Sequence, residues 1–156
     1  MVNTSTLDDI DIRILRELQQ NSRLTNKELA ARIHLSTTPT FERHRRLERE
    51  GYIKSYTTIV DAGLIDRGFT VFCNISTNNI FRDKIEDFRN HVAEWKEVTE
   101  CYNVSGEFDF QMKVCVSSMK AYQEFIINKV GAISYITKIQ SSFVMDTLKV
   151  AYSVPL

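Results

Sequence analysis

The pattern of hydrophobic residues changes once along the chain, in the glycine-containing stretch Asp61–Gly68. Before this stretch, apolar residues recur at the three- and four-residue spacing of amphipathic helices. After it, alternating apolar residues that are typical of strands flank two further helical patterns. The sequence therefore predicts two domains, residues 1–60 and 69–156, joined by a linker of residues 61–68.

Two helix starts are marked near the N-terminus. Residues 1–6 are small and polar and are predicted to form a loose tail, and a helical pattern follows from Leu7. Asp8–Asp9 stand at its start, where acidic side chains interact favourably with the helix dipole. Thr25–Glu28 has the form of a capping box and predicts the start of a second, short helix.

The stretch Ser36–Gly51 predicts a third helix. Ser36 is a suitable N-cap, and Gly51 can take the left-handed conformation that ends a helix. Only two residues separate this helix from the one before it, which is typical of a helix-turn-helix, although tight helical hairpins also occur as plain core. The predicted inward face consists of Phe41, His44 and Leu47.

The polar face of this helix carries hydroxyls near its start and arginines further along, which suits a DNA groove. The predicted DNA-binding residues are Ser36, Thr37, Thr38, Thr40, Glu42, Arg43, Arg45, Arg46 and Arg49. Taken alone, the stretch is equally compatible with a solvated surface helix. A loosely alternating segment, Tyr52–Val60, is predicted to form a strand that leads out of the unit and completes a winged helix-turn-helix.

Composition limits how the chain can bind DNA. The 156 residues are 43% hydrophobic with a formal net charge of zero, which excludes binding through bulk positive charge. Any DNA contact must come from a local patch. The three cysteines, Cys73, Cys101 and Cys115, have no metal-ligand spacing and favour buried small hydrophobes over metal ligands, so no metal is predicted. Without a signal peptide or membrane span, a reducing cytoplasm is expected.

The second domain reads as β-α-β-β-α-β, with Ser105-Gly106 as the turn between the middle strands. This order predicts an antiparallel sheet with both helices on one face. A last β-rich segment runs from about Ser134 to Val154, longer than its neighbours, and with the uncovered sheet face it favours self-association over a monomer. The predicted fold class is α+β: an N-terminal winged helix-turn-helix domain followed by a βαββαβ ferredoxin-like antiparallel α/β sandwich.

These residues resemble the Lrp/AsnC (feast/famine) family of regulators over residues 7 to about 150. The front half carries Leu7-Asp8, Asp11, Ile14-Leu15, Arg23, Glu28-Leu29-Ala30, Leu35-Ser36, Arg43, Leu47-Glu48, Gly51 and Ile53. The back half carries Gly106 and Asp109 of that family's hairpin. Two positions depart from the pattern: His34, where the family commonly has glycine, and His44, where it has an aliphatic residue. His44 is expected to be a satisfied or partly exposed core residue rather than a pH sensor.

The resemblance implies a sequence-specific transcription regulator of double-stranded DNA, not an enzyme, in the cytoplasm of a bacterium or archaeon and associated with the nucleoid. It implies homodimers formed through the C-terminal sheets, higher oligomers such as octamers, and no cofactor other than a small effector, an amino acid. The effector-binding positions that it implies are Ser105, Gly106, Asp109, Met119, Ser142, Phe143 and Val144. Asp109 could instead only stabilise the hairpin, and Met119 could be only core.

Other classes of function remain open at this point. One alternative is an architectural DNA-binding protein that responds to no effector, and another is a ligand-sensing assembly protein whose helix-turn-helix serves only to assemble. An enzyme has little support, because the sequence contains no phosphate-binding loop, no clustered His/Cys/Asp set and no nucleophile elbow.

Overall fold

The computed structural model describes residues 7–78 and 81–156 and divides into two compact units. The first unit contains the residues through Ile59 together with Lys149–Leu156, and the second contains Val60–Leu148. Residues 149–156, predicted in the second domain, thus belong to the first unit. The predicted N-terminal tail lies outside the described residues. Within them, no helix is both long enough and apolar enough to cross a membrane.

Three helices form the first unit: α1 (Asp9–Gln20), α2 (Asn26–Ile33) and α3 (Thr37–Arg49). At the start of α1, Asp8 accepts a hydrogen bond of 2.9 Å from the backbone N–H of Asp11. The predicted capping box at α2 is confirmed, since the Glu28 N–H donates to Thr25 Oγ1 at 3.2 Å. The apolar faces meet in one small core, formed by Ile14, Leu15, Leu18, Leu29, Ile33 and Leu47.

Helix α3 forms where it was predicted, but its cap and its buried face differ. Ser36 precedes the helix without a side-chain cap; its carbonyl instead accepts a 2.9 Å hydrogen bond from Thr40 Oγ1. Thr40 and Leu47 are fully buried, whereas Phe41 is 44% exposed. The helical repeat explains this, because Thr40 lies within about 20° of Leu47 around the axis and Phe41 about 120° away.

The second unit is built on a four-stranded sheet in the order β2-β3-β1-β4, with every neighbouring pair antiparallel. Its elements are β1 (Phe69–Thr77), α4 (Arg82–Glu94), β2 (Val98–Asn103), β3 (Phe110–Val116), α5 (Met119–Phe125) and β4 (Ile136–Phe143). One wider helical turn, Ile126–Val130, continues α5. The predicted β-α-β-β-α-β order is confirmed.

The core of the second unit lies on one face of this sheet. Along β3 the residues alternate strictly, and Phe110, Met112 and Val114 are buried. Phe88 of α4 and Phe125 of α5 pack into the same cluster, so both helices cover this face, as predicted. The opposite face carries mostly polar side chains of the four strands.

Two predicted strand segments are wrong. Tyr52–Val60 forms no strand, and the last strand ends at Phe143 instead of near Val154. Strand β4 pairs with β1, which begins at Phe69. The hydrogen bond from the Val144 N–H to the Thr70 carbonyl, 3.1 Å, lies one residue from the start of β1. Beyond this point the chain has no strand to pair with, and pairing is what makes an extended segment a strand.

The three cysteines are free thiols, and the prediction that they are buried holds for Cys73, whereas Cys101 and Cys115 are partly exposed. Cys73 is fully buried in the sheet core, and burial raises the pKa of its thiol. Cys101 is half-buried, and burial raises the pKa of its thiol to about 11. Both therefore stay protonated at neutral pH and behave as small hydrophobes.

Candidate DNA-binding surface and effector region

A turn of three residues, His34–Ser36, joins α2 to α3. His34 takes the left-handed conformation, with φ 59° and ψ 45°, and ends α2. The Leu35 N–H donates to the Ala30 carbonyl at 3.0 Å, which closes the helix end. A residue without a Cβ adopts this conformation most readily, so His34 occupies a position that favours glycine.

We expect His34→Gly to raise the free energy of unfolding of the first unit by about 1 kcal/mol, because the steric cost of a left-handed non-glycine residue disappears. Urea denaturation followed by circular dichroism measures the difference. His34→Asn is the graded control. Its free energy of unfolding should lie between those of the wild type and His34→Gly, since asparagine tolerates this conformation better than most residues. A glycine variant less stable than the wild type would contradict the assignment.

The carboxylate of Asp11 links α1 to α3. Asp11 is only 1% exposed and accepts from Arg43 Nη1 at 2.9 Å and from Arg46 Nη2. Arg43 also contacts Asp8 at 2.6 Å. A hydrogen bond from the Asp11 backbone and the Arg43 guanidinium together lower the pKa of Asp8. These two arginines therefore hold α3 against α1.

The predicted DNA-binding set is accordingly reduced. Thr40 is fully buried with its hydroxyl bonded to the Ser36 carbonyl, so its assignment as a DNA contact is wrong. The predicted outward orientation of Arg46 is wrong as well, because Asp11 lies on α1 and draws the guanidinium inward. The Arg43 and Arg46 side chains are only 29% and 28% exposed, against 67% and 73% for Arg45 and Arg49.

The residues that remain accessible form one edge of α3, which we call the exposed edge. It consists of Ser36, Thr37, Thr38, Phe41, Glu42, Arg45 and Arg49. Sequence reasoning missed Phe41, whose ring lies 5.5 Å from the Arg45 guanidinium carbon. An exposed aromatic ring beside an arginine offers an apolar contact for a thymine methyl group next to a hydrogen-bond donor. The helical repeat could have predicted this contact, because residues four apart, such as Phe41 and Arg45, are neighbours on the surface of a helix.

His44 connects α3 to the segment that follows it. Its Nδ1 lies 3.2 Å from Asn26 Oδ1 and its Nε2 lies 2.6 Å from the Tyr56 hydroxyl. The Tyr56 hydroxyl in turn donates to Glu48 Oε1 at 3.0 Å. Asn26 belongs to α2, and Tyr56 belongs to the segment that follows α3. The imidazole of His44 therefore joins α2, α3 and this segment. This agrees with the expectation that His44 is a satisfied, partly exposed residue.

Burial, followed by the hydrogen bond to Glu48, raises the pKa of Tyr56 to about 12. Because this is above the ordinary value of 10.0, the protonated hydroxyl contributes stability that is complete below pH 10 and is lost as pH rises to about 12. We expect the stability advantage of the wild type over Tyr56→Phe to disappear across this interval. An ultraviolet difference titration of the two proteins measures the hydroxyl directly, and a midpoint near 10 would contradict the contacts described.

The predicted effector residues fall into two groups within one chain. The hairpin group contains Ser105, Gly106 and Asp109. Asp109 Oδ2 accepts from the Thr77 N–H at 2.6 Å and from the Thr77 hydroxyl at 2.8 Å. This contact pins the hairpin to the end of β1, which is the structural role left open for Asp109.

The second group lies near the start of β1 and contains Met119, Ser142, Phe143 and Val144. The Phe143 ring is 5.9 Å from the ring of Phe69 and 5.7 Å from that of Tyr122. Met119, at the first position of α5, is exposed, so the interpretation of this residue as core is wrong. Ser142 points to the opposite face of the sheet from Phe143, because side chains alternate along a strand.

The hairpin group and the second group of predicted effector residues lie far apart within one protomer. Val144 bonds to Thr70 and Asp109 bonds to Thr77, seven residues further along β1. At the rise of an extended strand this separation is roughly 23 Å. A small molecule cannot touch both groups of one protomer.

Among the residues that the structure describes, two clefts of the second unit are lined by none of the predicted effector residues. One of about 410 Å³ lies beside α5 and contains the ion pair of Glu97 and Lys129, 2.8 Å. The other, of about 350 Å³, has mainly apolar walls between α4 and β2, with Arg89 and Asn103 among its lining residues. Among the described residues, no group of three His, Cys, Asp or Glu side chains could hold a metal ion.

Family models match both units. Residues 7–54 match a winged helix-turn-helix DNA-binding domain, and residues 70–154 match the Lrp/AsnC ligand binding domain. A helix-turn-helix joined to a ligand-binding unit defines a DNA-binding transcriptional regulator. The chain belongs to the Lrp/AsnC family of transcriptional regulators, which are not enzymes.

Curated relatives and solved structures agree with this assignment. The leucine-responsive regulatory proteins of Klebsiella pneumoniae and Escherichia coli K12 are each 38% identical over 143 residues, covering 92% of this chain and 87% of the relative. A Neisseria meningitidis transcriptional regulator in complex with L-methionine is 34% identical with a TM-score of 0.91, covering 96% of this chain and 97% of that one. An AsnC family regulator from Agrobacterium tumefaciens is 32% identical with a TM-score of 0.90 and the same coverage.

Proposed function

We propose that this regulator reads operator DNA with the exposed edge of α3. The observation that supports the proposal is the separation of the arginines of α3 into two pairs. Arg43 and Arg46 are engaged by Asp8 and Asp11, while the guanidiniums of Arg45 and Arg49 face solvent. The recognition helix of a helix-turn-helix enters the major groove with its N-terminal residues nearest the bases, where Thr37 and Thr38 stand in α3.

In this arrangement the hydroxyls contact base edges. The two exposed arginines, whose contacts to Glu48 and Glu50 are long at 3.9 and 4.0 Å, divide between bases and phosphates. Because the chain has no net charge, affinity per unit is modest and depends on linking several units on one DNA. Two linked helix-turn-helix units that bind one DNA together reach a useful affinity in the cytoplasm, on chromosomal DNA, although each unit alone binds weakly. Half-sites should then be spaced by about one helical turn or a multiple of it.

We propose further that the chain forms homodimers, and from them a larger assembly such as an octamer, through its second unit. The sheet face opposite the helices carries Phe72 and Tyr102, both exposed. Around them the polar side chains already satisfy one another, as in the ion pair of Lys113 and Glu100 at 3.1 Å. A face with exposed aromatic rings and satisfied polar neighbours suits a twofold interface between identical sheets.

The effector is proposed to be an apolar amino acid, in keeping with the leucine-responsive relatives and the L-methionine complex. One chain separates the two groups of predicted effector residues by roughly 23 Å. We therefore assign the site to an interface, where Ser105, Gly106 and Asp109 of one copy can meet a second copy. Backbone N–H groups beside Gly106, which has φ 125°, can hold the ligand carboxylate.

Gel shift on the DNA upstream of the protein's own gene, with and without L-leucine or L-methionine, tests the proposal. We expect specific binding that either amino acid changes by several-fold. Native mass spectrometry of the same samples should show dimers or larger assemblies. Binding that no amino acid changes would favour an architectural regulator without an effector. Absence of DNA binding at low salt would favour a ligand-sensing assembly protein.

A further inference from the structure

The C-terminal tail, residues 149–156, packs within the first unit. Gln19 of α1 makes two hydrogen bonds to the backbone of Val154: its Nε2 donates to the carbonyl at 3.1 Å, and its Oε1 accepts from the N–H at 2.6 Å. Arg16, one turn earlier on the same helix, donates from Nε to the Leu156 carbonyl at 3.0 Å and also from Nη2. The tail is thus attached to one face of α1 through its backbone.

The local sequence favours this attachment. Pro155 disfavours the helical conformation at Val154 and keeps that residue extended. In an extended chain the N–H and the carbonyl of one residue point to the same side, as they do in a paired strand. A glutamine side chain offers one donor and one acceptor at a matching spacing, so Gln19 takes the place of a residue in a neighbouring strand.

The segment before the tail carries no comparable contacts. Strand β4 ends at Phe143, and the Val144 N–H makes one more bond to Thr70. Met145 and Leu148 are then 95% and 92% exposed. The chain therefore passes between the two units a second time at Leu148–Lys149, in addition to its first passage at Ile59–Val60.

We propose that the tail is a tether that docks on Arg16 and Gln19 of α1 and links the state of the second unit to the DNA-binding unit. Residues 145–148 connect Val144, at the end of the sheet, directly to the docked tail. A shift of that end of β4 can reach the docked tail along the chain through this short span. This role rests on the proposed function, because it transmits an effector signal to DNA binding.

Hydrogen exchange of the full chain, followed by mass spectrometry, tests the docking without DNA or effector. The variants are Gln19→Ala and Arg16→Ala, and the matched controls are Gln20→Ala and Arg13→Ala, at exposed positions of the same helix. We expect the wild-type Val154 amide to be protected. Exchange of the tail should be about fivefold faster in both variants and unchanged in both controls. A wild-type tail that exchanges like a free peptide, or equal protection in all variants, would overturn the docking.

The link to DNA binding is tested by fluorescence anisotropy with the upstream DNA, with and without L-methionine. We expect Gln19→Ala to bind DNA alone within about twofold of the wild type, while the change in Kd caused by L-methionine falls towards none. An unchanged response would overturn the role of the tail as a tether. If L-methionine has no effect on the wild type, the proposed effector response fails, and the exchange result still decides whether the tail docks.

Discussion

Replacing Arg45 and Arg49 together with alanine should weaken binding to the upstream DNA by about 30-fold at low salt. Both side chains face solvent on the exposed edge, and each contact to a base or phosphate is worth roughly 1–3 kcal/mol. Two lost contacts at the lower end of that range correspond to about 30-fold in Kd. The slope of log K against log salt should also fall, by about one for each of the two arginines that contacts a phosphate. Fluorescence anisotropy over a salt series measures both quantities.

The matched control is Arg89→Ala, which removes an equally exposed arginine from α4 in the second unit. We expect its DNA affinity to stay within twofold of the wild type. Circular dichroism should show that the double variant is folded, because neither arginine holds a buried partner. A double variant that binds as tightly as Arg89→Ala would remove the exposed edge from the DNA interface.

Asp11→Ala should lower the free energy of unfolding of the first unit by about 2–3 kcal/mol. The Asp11 carboxylate is buried and forms ion pairs with both Arg43 and Arg46, so its removal leaves two partly buried guanidiniums without this partner. The expected loss is below that of a fully buried pair because both arginines keep access to solvent. Urea denaturation followed by circular dichroism measures it.

The chain offers a control and a second probe for this measurement. Asp9→Ala removes an exposed acid from the same turn and should cost only about 0.3–1 kcal/mol, the value of the helix dipole. Trp95, the single tryptophan, lies in the core of the second unit, so its fluorescence reports that unit alone. Two results would contradict the role assigned to Asp11. One is an Asp11→Ala unfolding midpoint that shifts equally by circular dichroism and by Trp95 fluorescence, and the other is a loss of stability no larger than that of Asp9→Ala.

Local signals in the sequence were sufficient for much of the fold. The capping box at Thr25 and Glu28 needs only four residues, and the structure contains both of its hydrogen bonds. The alternation along β3 is equally local, and it places Phe110, Met112 and Val114 in the core. In both cases the physical cause acts over one turn or one strand, so the sequence pattern alone predicts it.

The errors come from interactions that a local pattern does not contain. Arg45 and Arg46 are adjacent on one helix, and the carboxylate of Asp11, which holds only Arg46 of the two, lies on another helix, α1. The inward face of α3 was predicted from a three-residue spacing, which drifts by about 60° at each step and exchanged Phe41 for Thr40. The separation of the two effector groups was not predictable either, because strand register, which places Asp109 and Val144 at opposite ends of β1, is a non-local property.

Hydroxyl-radical footprinting on the upstream DNA tests most directly that paired copies of α3 read the operator. We expect protected patches on one face of the duplex, spaced by about one helical turn or a multiple of it. The same patches should be absent with the Arg45 and Arg49 double variant and present with Arg89→Ala. Uniform protection without periodicity, or an unchanged footprint with the double variant, would contradict this account of DNA recognition.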